Sequence, residues 1–579
     1  MLEYALIGVA AIVIIVAVSA LSARIRIAAP LALVVVGIGI SWIPGVPPVE
    51  VEPDWILLLL LPPLLYSAAV TVPIVDFRRN LSTITGLSVT LVLVSALLTG
   101  FTLSALLPDL ELWAAIALGA VISPTDVVAA TSIGKRLGLP SRLLTILEGE
   151  GLVNDATALV LLRTAIAAGA VTASGELDLG GTVLDFLWAV AAAAVVGIAV
   201  GWLAIVVRRR LDDAILQSVV SFAVPFIAFL PAEELGASGV IAVVAAGLYA
   251  GNAAPAALGV QSRLTDRLNW RTVQFVLEHG VFLLMGLELK GIVEGIGGDE
   301  LSVGGSVLIG LLLAVILVAT RFGFTGPLVA LLRRRESQAG DFEERVGLIE
   351  RRLDELEGDE RMARRVAGAR RRIDQRSNDI SLLRAEGLDW RGGVVISWAG
   401  MRGVVTLAAA QTLPADTPYS EQLVLIAFTV AIATLLLQGA TLPAVIRASG
   451  VRGSDAQLDR RALAELLDEI NEAGIERLDA VAAAENAPPT EVVEQVRDAI
   501  RLAAEAAWEE AEHGENPEKL ARSPHEQFRT LRSEVLAAER AALLDARARG
   551  AYASRILARV QVILDLEESR LGRPDADGH

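Results

Sequence analysis

Charged side chains that could bind a small cation or a proton stand inside long apolar runs of this sequence. An ionisable side chain near the centre of a bilayer costs on the order of 3 kcal/mol, so each one needs a specific reason to be there. Most of them are acids, and carboxylate oxygens can take up either a proton or a hard cation. The charged residues concerned are Asp126, Glu148, Glu150, Asp155, Arg321 and Arg402, and the uncharged Asn154 stands beside Asp155.

Asp126 directly follows Ser123-Pro124-Thr125 in the middle of an apolar run. Proline lacks an amide donor and disfavours helical geometry in the residue before it, so we expect the helix to break here. Unpaired backbone groups at membrane depth are tolerated only where they line a polar cavity or bind something. A simple proline kink, repaired by the hydroxyls of Ser123 and Thr125, would explain the proline but not the aspartate.

The next apolar run contains Glu148-Gly-Glu150-Gly151-Leu-Val-Asn154-Asp155. Glu150 and Asn154 lie four residues apart, as do Gly151 and Asp155, so these side chains share one patch of a helix. We expect Gly151 to leave space beside the Asp155 carboxylate for a hard cation. Competition between a proton and a cation for these oxygens is the simplest physical basis of exchange. The alternatives are a buried ion pair for Asp155 and a solvated acid near the helix start for Glu148.

Two arginines stand in later apolar runs, and each needs a carboxylate or carbonyl partner. Arg402 lies in Gly400-Met-Arg402-Gly403, where the glycines predict a second broken helix. If Arg321 or Arg402 pairs with Glu150, that pair is structural and leaves Asp155 to titrate. Two interrupted helices in corresponding positions of two halves indicate the site of an inverted-repeat transporter.

Glu278 and His279 are candidates for ion entry or pH sensing in another apolar run. A lone histidine in a membrane helix is more often a hydrogen-bonded packing residue. The chain has no cysteine, which excludes thiolate metal sites and disulfides. The sequence contains no phosphate loop and no nucleophile constellation, so we expect neither an enzyme nor an ATP-driven pump, and no cofactor apart from transported ions.

The composition is that of a membrane protein, because 54% of the 579 residues are hydrophobic and 20% are charged. The net charge of −17 comes largely from acidic helices near the C-terminus and from short acidic loops, so it indicates no nucleic-acid partner. The first apolar run, from Ala5 to about Ala20, has neither a basic start nor a cleavage signal and predicts a spanning helix.

At about 20 apolar residues per crossing, the sequence predicts an all-α polytopic membrane protein with about 13 spans. Basic residues such as Arg208 to Arg210 follow odd-numbered spans, and acids such as Glu233 and Glu234 follow even-numbered ones. Basic loops stay in the cytoplasm, so we expect the N-terminus outside and the C-terminus inside. The predicted span centres lie near residues 12, 37, 62, 95, 120, 158, 196, 222, 243, 280, 316, 403 and 434.

Two charged segments are predicted to leave the membrane domain of residues 1–450 on its cytoplasmic side. Residues 333–391 are rich in Arg and Glu, with apolar residues at helical spacing, and predict a helical insertion. Residues 454–579 hold four amphipathic stretches broken by Pro and Gly, and predict a helical tail. We interpret its apolar stripes as packing within a bundle or a dimer rather than as a ligand sensor.

Five motifs together resemble the monovalent cation:proton antiporter-1 family, in order and spacing along about 450 residues. They are Leu61-Pro-Pro-Leu-Leu-Tyr66, Ser123-Pro-Thr-Asp126, the segment from Glu148 to Asp155, Ala237-Ser-Gly-Val240 and Gly400-Met-Arg-Gly403. The resemblance implies a homodimer that works by elevator-like alternating access. A dimer scaffold would comprise residues of about 1–75 and 183–292, and a moving core residues of about 81–170 and 303–449.

The resemblance also implies roles for individual residues. Asp155 would carry the cation and the proton, with Asn154 beside it, and Asp126 and Thr125 would complete a Na⁺ site. Glu150 would be the acid paired with an arginine. Members with asparagine before the carrier aspartate resemble electroneutral one-for-one exchangers. Gly151 stands where many members have serine, and Ser67 where many have an acid, so a preference for K⁺ or Li⁺ stays open.

The leading hypothesis is a secondary antiporter that exchanges Na⁺ for H⁺ across the cytoplasmic membrane for pH and sodium homeostasis. A K⁺/H⁺ antiporter is the alternative within transport. Alternatives from other classes are a cation channel, which would need a continuous polar face on several spans, and a membrane sensor with a regulatory tail.

Overall fold

The structure is a computed structural model. It describes residues 2–25, 27–46, 52, 55–172, 179–296, 301–338, 370, 373, 377, 388–414, 416–451, 453, 456–484, 487–514, 516–549 and 553–571. Within these ranges the chain forms helices and contains no strand, which confirms the all-α prediction. It divides into two compact units, residues 1–451 and 452–579.

The first unit contains seventeen α-helices within the described ranges, and some of them follow one another directly along the chain. They are α1 (Leu2–Ile25), α2 (Ala29–Ser41), α3 (Leu61–Thr71), α4 (Ile74–Arg79), α5 (Leu81–Thr85), α6 (Leu91–Leu106), α7 (Leu112–Ile122), α8 (Val128–Arg136), α9 (Ser141–Thr172), α10 (Leu179–Arg208), α11 (Ala214–Glu234), α12 (Gly239–Ala257), α13 (Val260–Gly295), α14 (Val303–Gln338), α15 (Trp390–Trp398), α16 (Val404–Ala410) and α17 (Ser420–Ser449). Single π-helical turns, Ile56–Leu60 and Gly86–Thr90, lead into α3 and α6.

Many of these helices are long and apolar enough to cross a membrane. Eight such segments occur within the described ranges, and α2, the Ile56–Thr71 segment and α7 are shorter apolar helices. The predicted span centres near 120 and 403 fall at or beside the interruptions between α7 and α8 and between α15 and α16, and the other centres fall inside helices. The protein is therefore a multi-pass membrane protein, while the total of about 13 spans stays a prediction.

The helices that position the site lie in the middle of the first unit. In the most apolar 18-residue stretch of α17, 61% of the residues are buried, whereas the corresponding share in α1 is 11%. Helix α17 is therefore central and α1 peripheral. Every residue of α7 from Ala117 to Ile122 is buried. Because the interior of a close-packed protein leaves few voids, this burial fixes where α7 ends and the following segment begins.

The predicted insertion at 333–391 lies almost wholly outside the described residues. Helix α14 runs through Arg333 to Gln338, and α15 begins at Trp390, where the Asp389 carboxylate accepts a hydrogen bond from the amide of Gly392 at 2.9 Å. This is an N-cap, and it sets the start of α15.

The second unit is helical. Its helices are α18 (Ala456–Ala482), α19 (Thr490–His513), the single turn α20 (Pro517–Leu520), α21 (Pro524–Ala548) and α22 (Ser554–Leu571). Arg532 bridges Glu567 at 2.6 Å, and Arg540 bridges Asp565 at 2.5 Å, so charged pairs join α21 to α22.

Candidate functional site

Two interrupted helices meet at the centre of the first unit. The first break lies between Ile122 and Val128 and contains Pro124, and the second lies between Trp398 and Val404. The amide of Asp126 in the first break donates a hydrogen bond to the carbonyl of Met401 in the second, at 2.6 Å. An amide of the first unwound segment and a carbonyl of the second, which have no partner within a continuous helix, thus satisfy each other.

Arg402 binds backbone carbonyls at both breaks. Its Nε donates to the carbonyl of Ile122, at the end of α7, at 3.2 Å, and its Nη1 donates to the carbonyl of Gly400. Its own amide donates to Oγ1 of Thr434 on α17 at 3.2 Å. The last carbonyls of a helix carry partial negative charge and lack intrahelical donors. The buried guanidinium of Arg402 therefore compensates the carbonyl end of α7.

The Asp126 carboxylate is held at the start of α8. Its Oδ1 accepts a hydrogen bond from the amide of Val128 at 2.8 Å. Gly403 packs directly against the same carboxylate, so a Cβ at position 403 would overlap Oδ2 of Asp126. The second broken helix thus approaches the Asp126 side chain closely only because residue 403 has no side chain.

Glu150 on α9 forms a buried ion pair with Arg321 on α14. Nη1 of Arg321 donates to Oε1 at 2.5 Å, and Nη2 donates to Oε2 at 2.8 Å. The two side chains are 1% and 2% exposed, so neither charge is solvated. Oε1 also accepts from Oγ1 of Thr125 at 2.8 Å, and Nε of Arg321 donates to the carbonyl of Ile396 at 3.0 Å. The charge of Glu150 is fully matched within the protein.

Asn154, which also lies on α9, orients Thr125 in the first break. Its Nδ2 donates to Oγ1 of Thr125 at 2.9 Å and to the carbonyl of Thr125 at 3.2 Å. Its Oδ1 is buried and has no hydrogen-bond partner among the described residues. Asn154 therefore fixes Thr125, which in turn donates to Glu150.

Asp155 differs from Glu150 in having no fixed counter-charge. Among the residues that the structure describes, no side chain forms an ion pair or a hydrogen bond with its carboxylate. It is half-buried and lines a cavity of about 400 Å³ together with Asp126 and Thr125. Two carboxylates and Thr125 thus border one cavity beside the contact between the two breaks, and the rest of its lining is mostly apolar, with side chains such as Leu64, Val127 and Phe282.

Gly151 and Asp155 both line the cavity, although Val127 occupies the position that a side chain at residue 151 would take. A Cβ on Gly151 would lie 2.5 Å from Cγ2 of Val127, which follows Asp126 in the first break. The glycine allows α9 to pack tightly against the unwound segment. The same cavity is bordered by Asp126 and Asp155.

Three more charged residues line the cavity. Lys135 on α8 bridges Glu148 on α9 at 2.9 Å. Glu278 reaches the cavity from α13, and its Oε1 accepts a hydrogen bond from Nε2 of Gln274 at 2.6 Å. Neither Lys135 nor Gln274 is among the site residues predicted from the sequence, although the position of Gln274, four residues before Glu278, could have indicated it.

His279 does not line this cavity. Its Nδ1 lies 2.8 Å from the carbonyl of Phe275, and its ring lies 4.2 Å from the Phe275 ring, centroid to centroid. The structure thus separates His279 from its neighbour Glu278, and it places Glu150, Asn154, Arg321 and Arg402 behind the cavity wall.

The site has no set of ligands for a tightly held metal. Within the described ranges, no three His, Asp or Glu side chains lie close enough together to hold one metal ion.

The model of the family described as "Sodium/hydrogen exchanger, transmembrane" matches residues 9–448. The chain belongs to this family. The matched residues include both broken helices and the cavity beside them. The candidate site of the exchanger therefore lies within the region that the family shares.

Several known proteins are similar to this exchanger. An uncharacterized Na⁺/H⁺ exchanger of Mycobacterium tuberculosis is 31% identical over 432 residues, which cover 73% of this chain and 70% of the relative. A sodium, potassium, lithium and rubidium/H⁺ antiporter of Bacillus pumilus is 32% identical over 284 residues, 47% of this chain and 41% of the relative. The solved sodium proton antiporter MjNhaP1 of Methanocaldococcus jannaschii matches with a TM-score of 0.56 at 16% identity, covering 78% of this chain and all of that one. This last likeness shows a shared fold.

Membership of this family makes the protein a membrane transporter that exchanges a cation for protons. The geometry of the exchanger fits such chemistry, because the half-buried Asp155 carboxylate faces a cavity while the buried Glu150 on the same helix is neutralised by Arg321.

Proposed function

We propose that this exchanger carries Na⁺ and H⁺ alternately on the carboxylate of Asp155. The observation that supports this most is the contrast between the two acids of α9. Glu150 is bound through both oxygens by Arg321, whereas the Asp155 carboxylate borders the cavity without a fixed cation. A carboxylate that lacks a permanent partner can exchange one transient partner for another.

Asp126 and Thr125 complete the cation site in this proposal. Hard cations take carboxylate, hydroxyl and carbonyl oxygens as ligands, and Asp126 and Thr125 border the cavity beside Asp155. The amide of Val128 holds the Asp126 carboxylate in place. Asn154 orients Thr125, while the Glu150–Arg321 pair and Arg402 are structural and balance charge at the breaks.

The exchange is electroneutral, one Na⁺ for one H⁺. Asp155 has the same net charge whether it binds a proton or a sodium ion. The neighbouring Asn154 is neutral, and Glu150 is balanced by Arg321, so no second carboxylate on α9 has to change its charge during the cycle.

Alternating access moves the core, residues of about 81–170 and 303–449, past the scaffold, residues of about 1–75 and 183–292. The cavity supports this division, because its walls come from both sets of helices. Leu64, Ala68 and Glu278 belong to the scaffold, and Asp126 and Asp155 belong to the core. The scaffold forms the homodimer contact.

In this proposal the exchanger lies in the cytoplasmic membrane, with its N-terminus outside and its C-terminus in the cytoplasm. The alternation of basic and acidic loops along the sequence supports that orientation. The cavity end that holds Lys135 then faces the cytoplasm, and the transporter serves pH and sodium homeostasis.

K⁺ is the second candidate substrate. The similarity to the Bacillus pumilus antiporter, whose name includes potassium, favours it. Proteoliposomes with an imposed pH gradient and a pH-sensitive dye test the choice, with Na⁺, K⁺ or Li⁺ added in turn. Dissipation by Na⁺ at lower concentration than K⁺ supports the proposal. A response to K⁺ alone changes the substrate, and no response to any of the three contradicts antiport.

A further inference from the structure

The charges around the cavity are unevenly matched. Five charged residues line it, namely Asp126, Lys135, Glu148, Asp155 and Glu278. Lys135 is the one cation among these five, and it already bridges Glu148 at 2.9 Å. Three carboxylates therefore share the cavity without a bridging cation among the described residues of its wall.

Glu278 is the carboxylate that the mechanism above does not use. It belongs to α13, whereas Asp126 and Asp155 belong to the first break and to α9. Its side chain is 9% exposed, and its hydrogen bond comes from the neutral amide of Gln274. A neutral donor does not balance a buried negative charge, so the ionised form of Glu278 at the cavity wall favours a cation in the cavity.

Glu278 does not ligate the same ion as both aspartates. No three acidic or histidine side chains within the described ranges lie close enough to hold one metal ion. Its effect on a cation at Asp155 is therefore electrostatic and acts across the cavity. Low-dielectric walls around a cleft of one charge sign concentrate the counter-ion there.

We infer that Glu278 is a positioning residue that raises the affinity for cations entering through this cavity, and only from this side of the membrane. The inference rests on the proposed function, in which Asp155 moves with the core while α13 stays with the scaffold. Glu278 and Asp155 then share one cavity in the conformation described here, in which the cavity also contains Lys135. When the core has moved, the two carboxylates no longer share a cavity, so the affinity on the other side does not depend on Glu278.

The test compares Glu278→Gln with the parent protein in proteoliposomes of determined orientation. Glutamine keeps an oxygen that can accept from Gln274 and removes only the charge. The KM for Na⁺ supplied to the cavity side should rise roughly three- to ten-fold, as expected for one charge acting across a partly hydrated cavity. The maximal rate and the KM from the opposite side should stay at the parental values. Glu294→Gln removes an exposed acid from the same helix and should change neither KM.

A second variant separates charge from folding. Because the chain has no cysteine, Glu278→Cys can be modified at one position. A negatively charged methanethiosulfonate should restore the low KM on the cavity side, and a positively charged one should raise it further. Equal KM changes on both sides, an unchanged KM in Glu278→Gln, or identical effects of the two reagents would each overturn the inference. Absence of cation-evoked proton flux in the parent protein would instead contradict the proposed function.

Discussion

The guanidinium of Arg321 binds both carboxylate oxygens of Glu150, with Nη1 to Oε1 at 2.5 Å and Nη2 to Oε2 at 2.8 Å. Removing one partner of such a buried pair leaves an uncompensated charge, which costs about 3–5 kcal/mol. We therefore expect Arg321→Met to lose most of its thermal stability in detergent. Arg136→Met, at an exposed arginine on α8, should melt within a few degrees of the parent protein. Parental melting of Arg321→Met would contradict a structural role for the pair.

Gly403 is predicted to be essential for the position of Asp126. In Gly403→Ala the new methyl group overlaps Oδ2 of Asp126, so the carboxylate must turn away from the cavity. Cation-evoked proton flux in proteoliposomes should fall at least ten-fold while the protein still folds. Gly323→Ala is the matched control, because a Cβ at Gly323 has nothing within 4 Å. Parental flux in Gly403→Ala would contradict the placement of Asp126 at the cation site.

Gly151 is predicted to act through its contact with Val127. The methyl group of Gly151→Ala would lie 2.5 Å from Cγ2 of Val127, so α9 and the unwound segment are forced apart and transport should decrease. The double variant Gly151→Ala with Val127→Ala removes the overlap and should recover much of the transport rate, measured in the same flux assay. If the double variant transports no better than Gly151→Ala, the steric explanation is wrong.

Arg163 on α9 and Glu233 on α11 connect the proposed core to the proposed scaffold, with Nη1 and Oε2 2.6 Å apart. The other oxygen of Glu233 accepts a hydrogen bond from the amide of Gly239 at 2.8 Å, which fixes the carboxylate. If the core slides past the scaffold, this contact must break in each cycle. A short bifunctional thiol reagent that joins cysteines at positions 163 and 233 should therefore reduce transport at least ten-fold.

The same reagent applied to Arg497→Cys with Asp479→Cys serves as the control. These two residues form an ion pair at 2.7 Å within the second unit, and joining them should leave transport unchanged. Full transport after the bridge between 163 and 233 has formed would argue against an elevator motion across this contact.

The sequence predicted the residues of the site better than their partners. Pro124 and Asp126 indicate a broken helix because the cost of an ionisable group and of unpaired backbone in a membrane is high and specific. Which arginine pairs with Glu150 did not follow, because Arg321 is 171 residues away and the pairing depends on how α14 is rotated against α9. Local spacing carries no information about that rotation.

Gly151 illustrates the same limit. Its spacing from Asp155 on α9 correctly relates two residues of one helix, but Val127, which packs where a Cβ of residue 151 would lie, belongs to another segment. The cavity likewise combines residues of α3, α8, α9, α13 and α16. The role of Glu278 in it could not be distinguished from that of His279 by sequence, since the two are adjacent and only the helix orientation separates them.

The most direct test of the account is proton flux in proteoliposomes, measured for the parent protein and for Asp155→Asn with a pH gradient and added Na⁺. Asp212→Asn, at an exposed loop aspartate, is the matched control. We predict that Na⁺ dissipates the gradient in the parent and in Asp212→Asn, at a rate that an imposed membrane potential does not change, and that Asp155→Asn abolishes the response. Parental flux in Asp155→Asn would contradict the assignment of Asp155 as the carrier, and a flux that follows the membrane potential would contradict one-for-one exchange.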